Sequence, residues 1–168
     1  MAGATYRQEP LPVPHVRDWL LELQDSIQRR TIEALREQTS EHLARVAHES
    51  AADTIYEIDR GLDDLVGTAC EKLGERFPFV LIAEGQTAVF PQGATEAEAM
   101  FRLVMDPLDG TRELMYDKRS AWSLAGVAPN RGPGTTLADI VLAVQTEIPT
   151  SKQYLADTLW AESGCGVR

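Results

Sequence analysis

The sequence predicts an α+β fold in which two N-terminal helices pack on an antiparallel sheet. From residue 16 to residue 46 there is no Gly or Pro, and the apolar residues recur at helical spacing. After Pro78 the pattern changes to short apolar runs separated by polar and Gly-rich segments. Helices that come first in the chain, followed by strands, indicate a domain whose helices cover one face of a sheet.

A lead-in and two helices account for the first half of the chain. Residues 1–14 are predicted to be an extended N-terminal segment because they contain several prolines, and residues 15–168 to be one domain. The first helical stretch is either one long helix or two helices broken near residues 38–40. A second amphipathic helix is predicted over residues 59–77, while residues 52–59 fit a strand or a loop.

The second half of the chain predicts strands. Short continuous apolar runs are typical of buried strands, and they occur at residues 79–83, 88–90, 101–105, 122–128 and 140–146. A final hairpin is predicted from residues 154–156 and 159–161, with its turn at Asp157 and Thr158. All of these runs follow both predicted helices in the chain.

Charge and composition disfavour several classes of function. The 168 residues include 26 acidic and 16 basic side chains, a formal net charge of −10. This balance argues against a nucleic-acid partner and against docking on an anionic membrane, because both need clustered positive charge. No apolar run has the length of a transmembrane helix, and the N-terminus lacks the apolar segment of a secretory signal. Cys70 and Cys165 have neither metal-ligand spacing nor a disulfide framework, so a cytoplasmic location is expected.

The segment from Asp106 to Thr111 is the part of the sequence that carries chemistry. It reads Asp-Pro-Leu-Asp-Gly-Thr and directly follows a predicted buried strand. Pro107 has no N–H to donate, so the chain is expected to leave the sheet there and to bring Asp109 back towards Asp106. Two carboxylates and the Leu108 carbonyl are hard oxygen ligands, which suit Mg²⁺ or alternatively Mn²⁺.

Taken alone, the same segment also fits a β-turn that is capped by Asp106. A second buried strand, at residues 79–83, also ends on a carboxylate, Glu84. Two strands that each deliver an acid at their ends favour a shared cation site over a simple turn. The N–H groups of Gly110 and Thr111 would then point at an anion held by the cation.

These residues resemble the signature of the inositol monophosphatase family, which belongs to a superfamily of Mg²⁺-dependent, lithium-sensitive phosphatases. Residues 106–111 match its central motif. Residues 53–59 are similar to its upstream segment with two Asp residues, residues 122–127 to the strand after the signature, and residues 160–166 to a hairpin with two glycines. The resemblance covers almost the whole chain from residue 16 onward.

The resemblance implies a set of metal ligands. Asp106 would bridge two metals, and Asp109 would bind the second of them. Glu84 and the Leu108 carbonyl would complete the protein ligands of the first metal. The implied cofactor is Mg²⁺, with Mn²⁺ as the alternative.

The resemblance also implies catalytic and phosphate-binding roles. Thr111, paired with Asp59, would orient the attacking water and help to deprotonate it, and Glu84 would act with them through its metal. The N–H groups of Gly110 and Thr111 would hold the phosphate. Glu113 departs from the family, which commonly has a small or amide residue there, and its charge would repel a phosphate unless a cation compensates. The candidate compensating cations are Arg112, Lys118 and Arg119.

Two hypotheses about function follow. The family's downstream Trp-Asp segment, which supplies a further metal ligand, has no counterpart, so the chain is expected to be the N-terminal half of the family domain. The first hypothesis is a phosphomonoesterase that acts on a small phosphorylated substrate, an inositol phosphate or a related sugar phosphate. The second is a non-catalytic half-domain that binds a divalent cation or phosphate, or serves as an interaction module. A homodimer is expected from the resemblance.

Overall fold

The computed structural model describes residues 10–37, 46–49 and 54–168. In these residues the helices are α1, Val13–Glu37, α2, Glu57–Gly74, and the short α3, Thr111–Met115. Helix α1 begins two residues before the predicted domain boundary at residue 15. Residues 38–40, where a helix break was considered, lie outside the described part of the chain.

The strands form one large sheet and a small separate hairpin. Their bounds are β1, Val46–Glu49; β2, Thr54–Tyr56; β3, Phe79–Ala83; β4, Gln86–Phe90; β5, Phe101–Asp109; β6, Ala121–Pro129; β7, Leu142–Ile148; β8, Thr158–Glu162; and β9, Gly166–Val167. Strands β1 and β2 pair with each other, and the other seven form a sheet in the order β4-β3-β5-β6-β7-β8-β9. The predicted α+β class is therefore confirmed. Within the segment predicted as a strand or a loop, residues 54–56 form β2 and residues 57–59 begin helix α2.

The large sheet is mixed, whereas a wholly antiparallel sheet was predicted. Strand β3 pairs antiparallel with β4 but parallel with β5, and every other neighbouring pair is antiparallel. The reason is the order of strands: after the β3–β4 hairpin the chain crosses back, so that β5 lies on the other side of β3. Two parallel neighbours bring their carboxyl ends to the same edge of the sheet, here with Ala83 opposite Met105.

Helices α1 and α2 cover one face of this sheet. Every third or fourth residue of α1 is buried, namely Val16, Leu20, Leu23 and Ile27. Each such side chain contributes about 1.5–3 kcal/mol through removal of apolar surface from water. Under the helices, the rings of Phe79 and Phe101 stack with centroids 4.9 Å apart. These contacts confirm the predicted packing of the N-terminal helices on the sheet.

Helix α1 is also fixed by hydrogen bonds to the backbone and side chains of β7. The fully buried Gln24 donates from Nε2 to the Val144 carbonyl at 3.2 Å and accepts from the Thr146 hydroxyl at 2.9 Å. One turn later, Gln28 donates to the Glu147 carbonyl at 2.7 Å. Because a buried amide is stable only when its groups are paired, these bonds set the register of α1 on the sheet.

The predicted final hairpin is wrong in its first strand. Strand β8 pairs with β7 and with β9, and its turn to β9 lies at residues 163–165. Tyr154 and Leu155 are not in a strand, and their side chains are exposed in the connection between β7 and β8. The apolar run at residues 154–156, followed by Asp157 and Thr158, has the sequence pattern of a hairpin strand. Thr158 pairs with Thr146 of β7 instead, so residues 154–156 remain in the loop.

No helix in the described residues is both long and apolar enough to cross a membrane.

Candidate active site

The signature segment remains part of the sheet. Strand β5 continues through Pro107 to Asp109, whereas the chain was expected to leave the sheet at the proline. Asp106 is opposite Leu124 and Asp109 is opposite Trp122, so three steps on β5 match two on β6. This irregularity is a β-bulge, which accommodates a residue without an N–H donor while the strand goes on. The two acids are close enough for the Asp109 carboxylate to raise the pKa of Asp106.

The surroundings of Asp106 disfavour the charged form of its carboxylate. Its Oδ1 accepts a hydrogen bond from the Leu108 N–H at 3.1 Å. Burial raises the pKa of Asp106, the Leu108 N–H lowers that pKa in part, and the nearby Asp109 carboxylate raises it again. Among the described residues, no Lys or Arg forms an ion pair with either acid. A half-buried carboxylate beside another acid and without a basic partner suits a bound cation.

Thr111 follows Asp109 by two positions in the chain. Its hydroxyl is nearly buried and donates to the Leu108 carbonyl at 2.9 Å. A carbonyl oxygen has two lone pairs, so the predicted use of Leu108 as a metal ligand is compatible with this bond. The side chain of Asp59, the predicted partner of Thr111, lies outside the described residues, and that pairing stays a prediction.

Gly110 gives the segment its turn from strand into helix α3. Its φ of 92° lies in the left-handed region, which strains any residue with a side chain. A Cβ at this position would stand 3.6 Å from the Ala121 Cα and 3.9 Å from an Arg119 guanidinium nitrogen. Helix α3 then begins at Thr111, and the Leu114 N–H donates to the Gly110 carbonyl at 3.1 Å.

Glu84 reaches the same edge of the sheet. It follows β3 directly, and because Ala83 is paired with Met105, Glu84 on one chain segment and Asp106 on the other are each one residue beyond the last pair of these parallel strands. In the described part of the chain, however, no three His, Cys, Asp or Glu side chains are arranged to hold a metal ion. The Asp106 and Asp109 carboxylates thus influence each other, and Glu84 follows the last residue of the neighbouring strand, but in the described residues the three do not form a metal-binding cluster.

The donor set fits Mg²⁺ in its chemistry. The groups at the bulge are carboxylate and carbonyl oxygens, and hard divalent cations prefer such ligands. The unbalanced charge of Asp106 and Asp109 is the specific observation that favours a cation here. The assignment of Glu84 as a third ligand stays a prediction.

The loop after α3 contains a contact that sequence reasoning did not identify. Asp117 has a positive φ of 53° and accepts hydrogen bonds from both the backbone N–H and the hydroxyl of Ser151, each at 2.8 Å. These bonds lower the pKa of Asp117, and Lys152 lowers it further. Asp is one of the residue types that tolerate the left-handed region, which is the only signal in the sequence for this position. The bonds tie the loop after the signature to the connection between β7 and β8.

An open apolar surface borders the site. The sheet face opposite α1 and α2, here called the open face, has a groove of about 530 Å³ between β5 and β9. Its walls are mostly aliphatic and include Val104, Leu124, Ile140 and Leu159, and Asp106 stands at one end. The site therefore lies where the edge of the sheet meets this face.

Comparisons with known proteins support the fold. No family model matches the chain, and no curated protein matches it. Several solved structures, however, have a similar fold. The extragenic suppressor protein SuhB from Bartonella henselae has a TM-score of 0.65 and 17% identity, over 92% of this chain and 51% of that one. Leishmania major fructose-1,6-bisphosphatase has a TM-score of 0.63 and 16% identity, over 90% and 47%. A Thermotoga maritima IMPase has a TM-score of 0.59 and 19% identity, over 92% and 50%.

The match is to part of each of these proteins. The chain spans about half the length of the solved structures that it resembles. At these identities the likeness concerns the fold, which is the fold that the resemblance in the sequence implied. The chain has the fold that inositol monophosphatase and the sugar bisphosphatases share over about half of their length.

Proposed function

We propose that this chain carries the cation-binding and phosphate-binding half of a Mg²⁺-dependent phosphomonoesterase of the inositol monophosphatase type. The observation that supports the proposal most is the acid pair at the bulge of β5. Asp106 and Asp109 interact with each other, and no basic side chain of the described residues neutralises them. The fold shared with solved phosphatases supports the same reaction class.

The roles follow from the position of each residue. Asp106 and Asp109 would hold the cation, together with Glu84 and the Leu108 carbonyl. When bound, a divalent cation at this site lowers the pKa of a coordinated water and stabilises charge on a phosphoryl group. Thr111 is held in place by its bond to the Leu108 carbonyl, and we assign it to the orientation of the attacking water together with Asp59.

The substrate class is a small phosphate monoester. An inositol phosphate or a related sugar phosphate is the class implied by the resemblance and by the names of the solved relatives. The N–H groups of Gly110 and Thr111 lie next to the acid pair in sequence, which supports their assignment to the phosphate.

A second candidate is a half-domain that binds a cation or phosphate without turning over a substrate. One observation favours it: the described residues contain no group of three His, Cys, Asp or Glu side chains that could hold a metal ion. On this reading, the acid pair binds a cation, but phosphate release requires groups outside this chain.

Calorimetric titration of the chain with Mg²⁺ and with Mn²⁺ tests the proposal, and Asp106→Asn is the test variant. Asp157→Asn is the matched control, because Asp157 is an exposed carboxylate in the connection between β7 and β8. We expect binding by the wild type and by the control and none by Asp106→Asn, with circular dichroism showing that all three are folded. Phosphate release from an inositol monophosphate then separates the two candidates. A folded wild type that binds neither cation would show the proposal to be wrong.

A further inference from the structure

The side chain of Arg119 lies against the candidate phosphate loop. One of its guanidinium nitrogens is 3.9 Å from the point that a Cβ on Gly110 would occupy. Gly110 joins Asp109 to Thr111 in the chain. The Arg119 guanidinium therefore lies beside the backbone between the acid pair and the Thr111 hydroxyl, which we assign to orienting the attacking water. The distance of 3.9 Å is an ordinary van der Waals separation, so the guanidinium lies beside the backbone of Gly110.

The contact that positions Arg119 is a weak one. Its Nη2 is 3.7 Å from Oε2 of Glu113, and the two side chains are 63% and 41% exposed. An exposed pair at this distance contributes less than about 1 kcal/mol, so it guides the side chain without binding it firmly. Within the described part of the chain, Glu113 is its only ion-pair partner, and a guanidinium has five N–H donors. Most of these donors remain available to a substrate.

The charge of the site favours such a group beside the proposed cation, because Glu113 is not one of the proposed ligands. Asp106, Asp109 and Glu113 are all acidic and lie within eight positions of one another. A phosphate dianion that approaches them is repelled unless positive charge offsets the acids. The neighbouring Lys118 is directed at another group, since its ammonium lies over the Tyr116 ring, 5.3 Å from the centroid.

We infer that Arg119 is a substrate-binding residue that donates from its guanidinium to a phosphate oxygen at Gly110, with Glu113 as its positioning residue. The planar fork of an Arg matches two phosphate oxygens at once, which a Lys ammonium does not. The inference rests on the proposed function and deepens it. It explains why a carboxylate can stand at position 113, where its charge alone would repel the substrate, because Glu113 positions the Arg119 guanidinium.

Titration with inorganic phosphate, in the presence of Mg²⁺ and again with EDTA, tests this assignment. Arg119→Ala is expected to weaken phosphate binding about 10- to 100-fold, as for loss of a charged hydrogen bond. Arg119→Lys keeps the charge but not the fork, and we expect an intermediate affinity. Lys118→Ala is the matched control, and its affinity is expected to stay within about twofold of the wild type. Both arginine variants should remain folded because the side chain is exposed.

The outcomes separate this inference from the proposed function. Equal phosphate affinity in Arg119→Ala and Lys118→Ala would overturn the role of Arg119, and so would a wild type that binds no phosphate in either buffer. The Mg²⁺ titration described above is independent of Arg119. Phosphate binding that depends on Arg119 without any Mg²⁺ binding would support the inference while refuting the metal-dependent function.

Discussion

The two faces of the seven-stranded sheet differ in how they are used, although both are apolar. Along β5 the exposed fraction of the side chain changes from 0% at Leu103 to 37% at Val104 and back to 3% at Met105. Leu103 and Met105 lie under the helices, and Val104 lies on the open face. A sheet that is apolar on both faces is typical of sheets covered on both sides, and helices α1 and α2 cover one of them. Stability therefore comes from the covered face, while the candidate site lies at the end of the open one.

The largest expected effect is on the covered face. Phe101 is fully buried and stacks on Phe79, so Phe101→Ala is expected to lower the free energy of unfolding by about 3–5 kcal/mol. Urea denaturation measures this loss. Val104→Ala, three positions along the same strand, is the control, and its loss is expected to be below about 1 kcal/mol. Similar losses in the two variants would show that the two faces do not differ in energy.

The next largest effect on the free energy of unfolding is expected from the hydrogen bonds that hold helix α1 on that face. Gln24→Ala removes an amide that pairs with the Val144 carbonyl and the Thr146 hydroxyl. We expect a loss of about 1–3 kcal/mol, because the buried Thr146 hydroxyl then loses its acceptor and keeps only the 3.3 Å hydrogen bond from the Thr158 hydroxyl. Ser26→Ala on the same helix is the control, since its hydroxyl bonds only within the helix, to the Glu22 carbonyl, and its effect should lie within about 0.5 kcal/mol. If the two variants lose equally little, the docking of α1 depends on its apolar stripe alone.

Local sequence patterns predicted the helices and most of the strands. The pairing between segments distant in the chain could not be predicted from such patterns. The stripe from Val16 to Ile27 identified the buried side of α1 because its period is set within the helix. An apolar run predicts a strand but does not name its neighbour, so the parallel pairing of β3 and β5 could not be read from the sequence. The same limit explains the wrong first strand at Tyr154, which a local turn pattern suggested.

At the candidate site, too, features set by nearby residues were predicted and those that depend on the path of the chain were not. The approach of Asp109 to Asp106 was predicted from two residues three positions apart, although the reason is a bulge within β5 rather than an exit from the sheet. The position of Arg119 beside Gly110 depends on the path of the loop that joins α3 to β6, which no local spacing encodes. The roles of Asp59 and Glu84 stay predictions from the resemblance.

A smaller effect is expected where the two faces meet, at Asp106. Burial and Asp109 raise its pKa above the ordinary value of 3.8, so the folded chain holds this proton more tightly than the unfolded chain does. Ionisation therefore destabilises the fold at pH values above the raised pKa, and the loss disappears as the pH falls below the ordinary value. In EDTA at pH 7, Asp106→Asn is expected to unfold at a slightly higher temperature than the wild type, and at low pH the difference should vanish.

Mg²⁺ is expected to reverse that order. A cation that binds only the folded chain raises its unfolding temperature, and Asp106→Asn should not respond. Asp157→Asn, with an exposed carboxylate, is expected to follow the wild type in both buffers. An Asp106→Asn variant less stable than the wild type in EDTA would contradict the assignment of Asp106 as an uncompensated acid.

The smallest expected effect is on the open face, where a matched pair of substitutions compares the two faces directly. Val104→Thr and Val127→Thr make the same change of shape and polarity, but Val104 is partly exposed and Val127 is fully buried. In Val127→Thr a hydroxyl enters the core, and we expect a loss of about 1–3 kcal/mol. In Val104→Thr the hydroxyl stays in contact with water, so the free energy of unfolding should change by less than about 0.5 kcal/mol while binding of a hydrophobic dye decreases. A loss at Val104 as large as that at Val127 would mean that the open face is covered in solution, because only a buried hydroxyl carries that cost.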